Sequence, residues 1–256
     1  MKRFCFTIDD NIRFLQELTN GNYESMFCNP YLSLLKKLHD TYGIKIQLNL
    51  FYQNPTFTLA QMTDKYKSEW EQNSQWLKLS FHSRLENAYP YQDALYEEVH
   101  NDCKAVHDEI LRFAGEKSLG KTTTVHCCVT TKDGVRAFVD NKVQGLLGLY
   151  GTDEEPRSSY ACDEVESARA RKGEVIFRDG MYFMGINVVL NLYKPQQIVE
   201  NLQGVKDRKN VSIMIHEQHF YPDFLYYRED YFERIVSAVA FLQEQGFTSC
   251  FFEEMI

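Results

Sequence analysis

The chain has 256 residues, a formal net charge of −8, 44% hydrophobic and 14% aromatic residues, and 25% charged residues. That apolar content is enough for a large packed core and argues against a disordered chain. The acidic balance argues against nucleic acid and anionic membranes as partners, which are held through clustered Lys and Arg, and favours a neutral or cationic substrate.

The opening Met1-Lys2-Arg3 is basic, as in a secretory leader, but the apolar stretch after it stops at Asp9-Asp10, too short for the hydrophobic region of such a leader. No run approaches the roughly 18 apolar residues that span a bilayer. The seven cysteines, Cys5, Cys28, Cys103, Cys127, Cys128, Cys162 and Cys250, are odd in number and lack a C-x-x-C pair. Reduced thiols in a cytoplasmic protein are the expectation.

Short β-rich runs alternate with amphipathic helical segments along the chain. The first strand is expected over 3–8. A helix over 30–42 places Leu32, Leu35 and Leu38 on one face and ends at Gly43, followed by a strand over 44–50. A polar helix over 59–72 leads to a strand over 76–81, and a long helix over 91–113 leads to a strand over 122–129. Further strands are expected over 145–150, 186–192, 211–215 and 247–252, with helices over 161–171, 195–202 and 223–245. Asp179-Gly180 between two apolar runs in 173–185 signals a hairpin. The alternation predicts an α/β fold, a single (β/α) barrel of about seven or eight strands, TIM-like and irregular or incompletely closed, in one domain over 1–256.

In such a barrel the C-terminal strand ends carry function. The first strand ends in Thr7-Ile8-Asp9-Asp10, the third in Ser80-Phe81-His82-Ser83, the fourth contains His126, and the strand ending at Ile215 runs into His216-Glu217. Asp9 and Asp10 are neighbours on an extended strand, so their side chains diverge and can take different roles. Carboxylates and a histidine converging on one face suit a divalent cation.

T-I-D-D at Thr7 to Asp10 resembles the T-[FY]-D-D first motif of the polysaccharide deacetylase (NodB-like) family. H-S-R-L-E at His82 to Glu86 resembles its second motif, H-[ST]-x-x-H, and I-M-I-H at Ile213 to His216 its late L-x-H. The resemblance implies that Asp9 is the catalytic base, that Asp10 and His82 bind one divalent metal ion, zinc first with nickel, cobalt or manganese as alternatives, and that His216 is the general acid. Glu86 stands where the family has its second histidine and is read as the third ligand, with His126 and His216 as alternatives. The implied reaction is N-deacetylation of an acetamido sugar or a related small amide. The chain departs from the family at V-H-C-C-V-T-T (Val125 to Thr131), where R-x-P-x-G is usual, and it lacks D-x-x-D-W. A degenerate barrel that binds metal and carbohydrate without turnover is the alternative, and a lyase or isomerase on the same fold a third reading.

Other positions have structural roles to compete with a functional one. His126, Glu217, Tyr150 and Phe220 are candidates for substrate or supporting contacts, and the aromatic run from His219 to Tyr227 could stack on a sugar or pack a helix. His100, Cys103 and His107 share a helix face, which an outer helix explains better than zinc. Cys127 and Cys128, as strand neighbours, are expected to form a small buried pair, and Asp153 to Arg157 a solvated loop.

Overall fold

The computed structural model describes residues 1–86 and 90–256. The strands are β1 (Lys2–Asn11), β2 (Ile46–Phe51), the hairpin β3 (Gln53–Asn54) and β4 (Phe57–Thr58), β5 (Leu77–Ser83), β6 (Thr122–Thr123), β7 (Gly145–Gly148), β8 (Ile176–Arg178), β9 (Met181–Gly185), β10 (Val188–Val189), β11 (Asn210–His216) and β12 (Phe247–Ser249). The helices are α1 (Arg13–Asn20), α2 (Pro30–Tyr42), α3 (Lys67–Asn73), α4 (Tyr96–Phe113), α5 (Lys132–Asp140), α6 (Glu164–Arg171), α7 (Pro195–Gln203) and α8 (Tyr231–Glu244).

β10, β11, β1, β2 and β5 pair in that order as a parallel sheet, with β12 paired to the first residues of β1. A second sheet runs β6, β7, β9, β8, with β8 antiparallel to β9. The sheets meet through isolated hydrogen bonds: Gly120 N, just before β6, donates to Leu79 O on β5 (2.8 Å), and Ser212 Oγ on β11 donates to Gly185 O at the end of β9 (2.7 Å). The α/β architecture is therefore an irregular barrel that is incompletely closed, as the alternation predicted.

Strand residues alternate between the two faces of a sheet, and here the alternation separates apolar from polar. In β2 the buried Ile46, Leu48 and Leu50 alternate with Gln47 and Asn49. The polar set pairs internally: Gln47 Nε2 donates to Asn49 Oδ1 (2.8 Å) and Thr122 O (2.9 Å), and Ser80 Oγ donates to Thr122 O (2.8 Å). Buried amides and hydroxyls survive in a core only with such partners. This polar ladder leads up to the strand ends where the candidate residues sit.

Local signals explain several elements. Asn29 accepts from Tyr31 N and Leu32 N, Pro30 opens α2, and Gly43 at φ 63° closes it. Its Leu32, Leu35 and Leu38 are fully buried, each contributing about 2 kcal/mol of burial. The expected hairpin is present, with Asp179 and Gly180 both at positive φ between β8 and β9, the geometry a two-residue turn requires.

Other expectations are corrected. α1 and α5 lie outside the elements that the sequence pattern predicts. The helix expected over 59–72 is a short 3-10 turn (Leu59–Gln61) followed by α3, and the strand expected over 122–129 stops at Thr123. The strand over 186–192 is only β10, followed by a 3-10 turn (Leu190–Leu192). Among the described residues no helix is long and apolar enough to cross a membrane.

Candidate metal centre

β1 departs from regular strand geometry at the point where the site begins. Asp10 adopts φ 61°, and pairing with β2 shifts register between Ile8 and Asn11. A left-handed Asp costs on the order of 1 kcal/mol, and such strain concentrates at functional sites. Asn11 stabilises the turn by donating to Ile8 O (2.5 Å) and Asn49 O (3.1 Å). Asp9 is still in register and sits directly opposite His216 on β11.

Asp10, His82 and His126 bring three ligand atoms together. Asp10 Oδ1 lies 2.9 Å from His82 Nε2 and 3.3 Å from His126 Nδ1, and the two ring nitrogens are 3.1 Å apart. Among the described residues this is the trio of His, Cys, Asp or Glu placed to hold a metal ion. His82 Nδ1 donates to Thr124 O (2.5 Å), which fixes the tautomer and turns the Nε2 lone pair inwards, the usual support of a ligating histidine. Gln218 Nε2 donates to the other Asp10 oxygen (2.8 Å). Phe51 packs against both imidazoles, with centroid distances of 5.2 Å to His82 and 5.1 Å to His126. One carboxylate and two imidazoles suit a divalent transition ion, and three protein ligands leave positions open for water or substrate.

The electrostatics follow from burial and these pairings. Burial works against charge on Asp10, yet hydrogen bonds to His126 and His82 hold its carboxyl well below the usual range. His126 resists charge through burial but is raised to about 10, chiefly by Asp10 and then by Cys127. Burial pushes Asp9 up to about 7, with Asp10 adding, while His82 and Asn49 pull it down. Asn49 Nδ2 donates to Asp9 Oδ1 at 2.6 Å. His216 is lowered to about 4 by burial, against the pull of Asp10. Its Nε2 lies 4.0 Å from Asp10 Oδ2.

The remaining sequence candidates are distributed differently. Glu86 is exposed and outside the trio, though near enough to feel the charges of Asp10, His126 and His82; the trio's third member is His126, delivered by the 3-10 turn His126–Cys128 and not by a strand. Cys127 and Cys128 in that turn both have positive φ, one exposed and one buried, so they are not the buried strand pair expected. Glu86 instead lines a cleft of about 300 Å³ with Phe51, Gln53, Asn54, Pro55 and Leu85; the cleft includes none of the trio and adjoins it through Phe51, whose ring packs against both histidines. A larger cleft, of about 1060 Å³, lies along α6 and includes none of the trio.

Glu217 is fully buried and caps α1: its carboxylate accepts from Ile12 N (2.7 Å), Arg13 N (3.1 Å) and Phe14 N (2.8 Å). Phe220 packs among aromatic rings, 5.2 Å from Tyr31 and 5.7 Å from Tyr231. Tyr150 is buried with its hydroxyl 3.7 Å from the Cys162 sulfur. Cys103 and His107 pair at 3.7 Å inside α4, while His100 stacks on Tyr96. Sequence reasoning missed Asn49, Gln218 and Asn191, which hold Asp9, Asp10 and His216; an amide carries no motif, and only Asn49, two residues from Gln47 on a polar strand face, left a trace.

No family model matches the sequence, and no curated protein matches it. Solved structures do. A family 4 acetyl xylan esterase from Clostridium thermocellum, in complex with a cobalt ion, aligns over 99% of this chain and 90% of its own, at 13% identity and a TM-score of 0.56. The Bc1960 peptidoglycan N-acetylglucosamine deacetylase aligns over 99% of this chain and 87% of its own, at 12% identity and 0.56. The 4-alpha-glucanotransferase from Thermococcus litoralis reaches 0.57 at 11% identity, over 99% of this chain but 40% of its own. Such identities carry fold and not activity. The chain has the fold of the polysaccharide deacetylases, the family that its Thr7 to Asp10 motif resembles.

Proposed function

We propose that the protein is a metal-dependent hydrolase that removes the acetyl group from a small acetamido compound, an acetamido sugar being the first candidate. The observation that carries this reading is the convergence of Asp10, His82 and His126 with Asp9 buried beside them and His216 opposite Asp9 in register. We assign zinc first, because three protein ligands with open positions is the pattern of catalytic zinc. When bound, such an ion polarises the acetyl carbonyl and acidifies water.

The chain's own residues supply the proton traffic. Asp9, raised to about 7, is tuned to accept a proton from the attacking water near neutrality. Asn49 holds its carboxylate in place. As the carbon–nitrogen bond breaks, its electron pair goes to nitrogen, and a proton equivalent to the one Asp9 took from the attacking water reaches that nitrogen through His216 Nε2, which carries none at rest. The cleft beside Phe51, about 300 Å³, is at the small end of ligand sites and suits one sugar or a similar molecule more than a polymer. Glu86 on its wall suits hydroxyl or ammonium groups and disfavours polyanions.

A metal- and carbohydrate-binding protein without turnover is the second reading. The observation in its favour is that burial lowers His216 to about 4, so the resting site offers no imidazolium at neutral pH. Acetate release from a panel of N-acetylated sugars, with and without chelator, separates the two. Metal-dependent release supports the hydrolase; tight metal-dependent sugar binding with no release supports the binding protein.

A further inference from the structure

We infer that Asn191 and His219 are positioning residues that fix which nitrogen of His216 exchanges protons with the site. Both are buried, Asn191 in the turn after β10 and His219 in the turn after β11. His219 Nδ1 lies 2.7 Å from Tyr226 O. A carbonyl can only accept, so His219 Nδ1 carries the proton. His219 Nε2 then accepts from Asn191 Nδ2 at 3.1 Å, which leaves Asn191 Oδ1 facing His216 Nδ1 at 2.8 Å. An amide oxygen can only accept, so His216 Nδ1 carries a proton as well.

The chain of bonds therefore has one direction, set by the backbone carbonyl at its far end. His216 keeps its Nδ1 proton in both its neutral and charged forms, and Nε2, 4.0 Å from Asp10 Oδ2, is the nitrogen that gains and loses a proton. The opposite polarity would require His219 to hold two protons. Burial disfavours that charge, and Arg228 adds to the effect although the Tyr226 carbonyl opposes it. The relay is also clamped from outside: Arg228 Nε donates to Asn191 O (3.3 Å), and Arg234 Nη1 donates to Leu190 O (3.2 Å).

The functional meaning rests on His216 acting in the proposed hydrolysis, but the tautomer is measured without metal or substrate, so the two readings fail separately. Long-range proton–nitrogen NMR of the metal-free full chain, labelled with ¹⁵N-histidine, reads it directly. Wild type is expected to show His216 and His219 with hydrogen on Nδ1. Asn191→Leu should move His216 predominantly to the Nε2–H form that free histidine favours, and Asn191→Asp, which keeps an acceptor, should retain Nδ1–H. His219→Phe, which frees the Asn191 amide to turn over, should erode the preference and carries the test if Asn191→Leu does not fold. Nε2–H on His216 in wild type, or Nδ1–H persisting undiminished in folded Asn191→Leu or His219→Phe, overturns the assignment.

Discussion

His82 Nε2 and His126 Nδ1 stand 3.1 Å apart, and both face the same oxygen of Asp10. His82 gives its other ring proton to Thr124 O, so its Nε2 lone pair faces the carboxylate and calls for a proton or a cation between them. A proton on His126 meets that requirement in the empty protein, and a cation replaces it in the loaded one.

Asp9→Asn should keep its metal and lose activity by about two to four orders of magnitude, the usual cost of removing a general base. Metal content and acetate release measured on the same preparation check this. A variant that loses metal and keeps its rate per bound ion would reverse the roles of Asp9 and Asp10.

Gln218→Ala removes the donor to Asp10 Oδ2. Loss of such a partner to a ligating group costs about 10–100-fold in metal affinity. Competition with a calibrated chelator measures it, and an unchanged affinity would show that Gln218 does not orient the ligand.

Glu217 links stability to pH. Burial raises its carboxyl from the ordinary 4.5 to about 7, against the backbone donors of Ile12, Phe14 and Arg13. A raised carboxyl means that the folded chain holds a proton the unfolded chain has released, so stability falls as pH rises through this window. The contribution is fully present below about 4.5 and lost above about 7, a difference of roughly 3 kcal/mol. Urea denaturation across this range should show the decline in wild type. Glu217→Gln should flatten it and, by turning an amide NH₂ towards backbone N–H groups, lower stability at acid pH by about 1–3 kcal/mol. An identical slope in both proteins would remove Glu217 as its source.

The parts of the fold that were legible in the sequence are those whose signals are local. Asn29-Pro30 and Gly43 bound α2 at both ends, and Asp179-Gly180 marks its hairpin, because caps and turns are set by neighbouring residues. The strand ends bearing Asp9, His82 and His216 could be read from apolar runs that stop at polar residues. What could not be read depends on distant parts of the chain. α1 is short and lacks a side-chain cap of its own; its cap is Glu217, about two hundred positions away. Val125 to Val129 has the composition of a strand, yet β6 stops at Thr123 and two left-handed cysteines turn His126 into the site. Glu86 has the family's spacing but lies outside the Asp10, His82 and His126 trio, since spacing says nothing about where a loop leads.

The most direct test of the metal centre is elemental analysis of purified protein after equilibration with zinc, comparing wild type with His126→Ala and Glu86→Ala. We predict about one ion per chain in wild type and in Glu86→Ala, and near-complete loss in His126→Ala, as in Asp10→Asn and His82→Ala. Full metal content in His126→Ala with loss in Glu86→Ala would contradict the Asp10, His82 and His126 site.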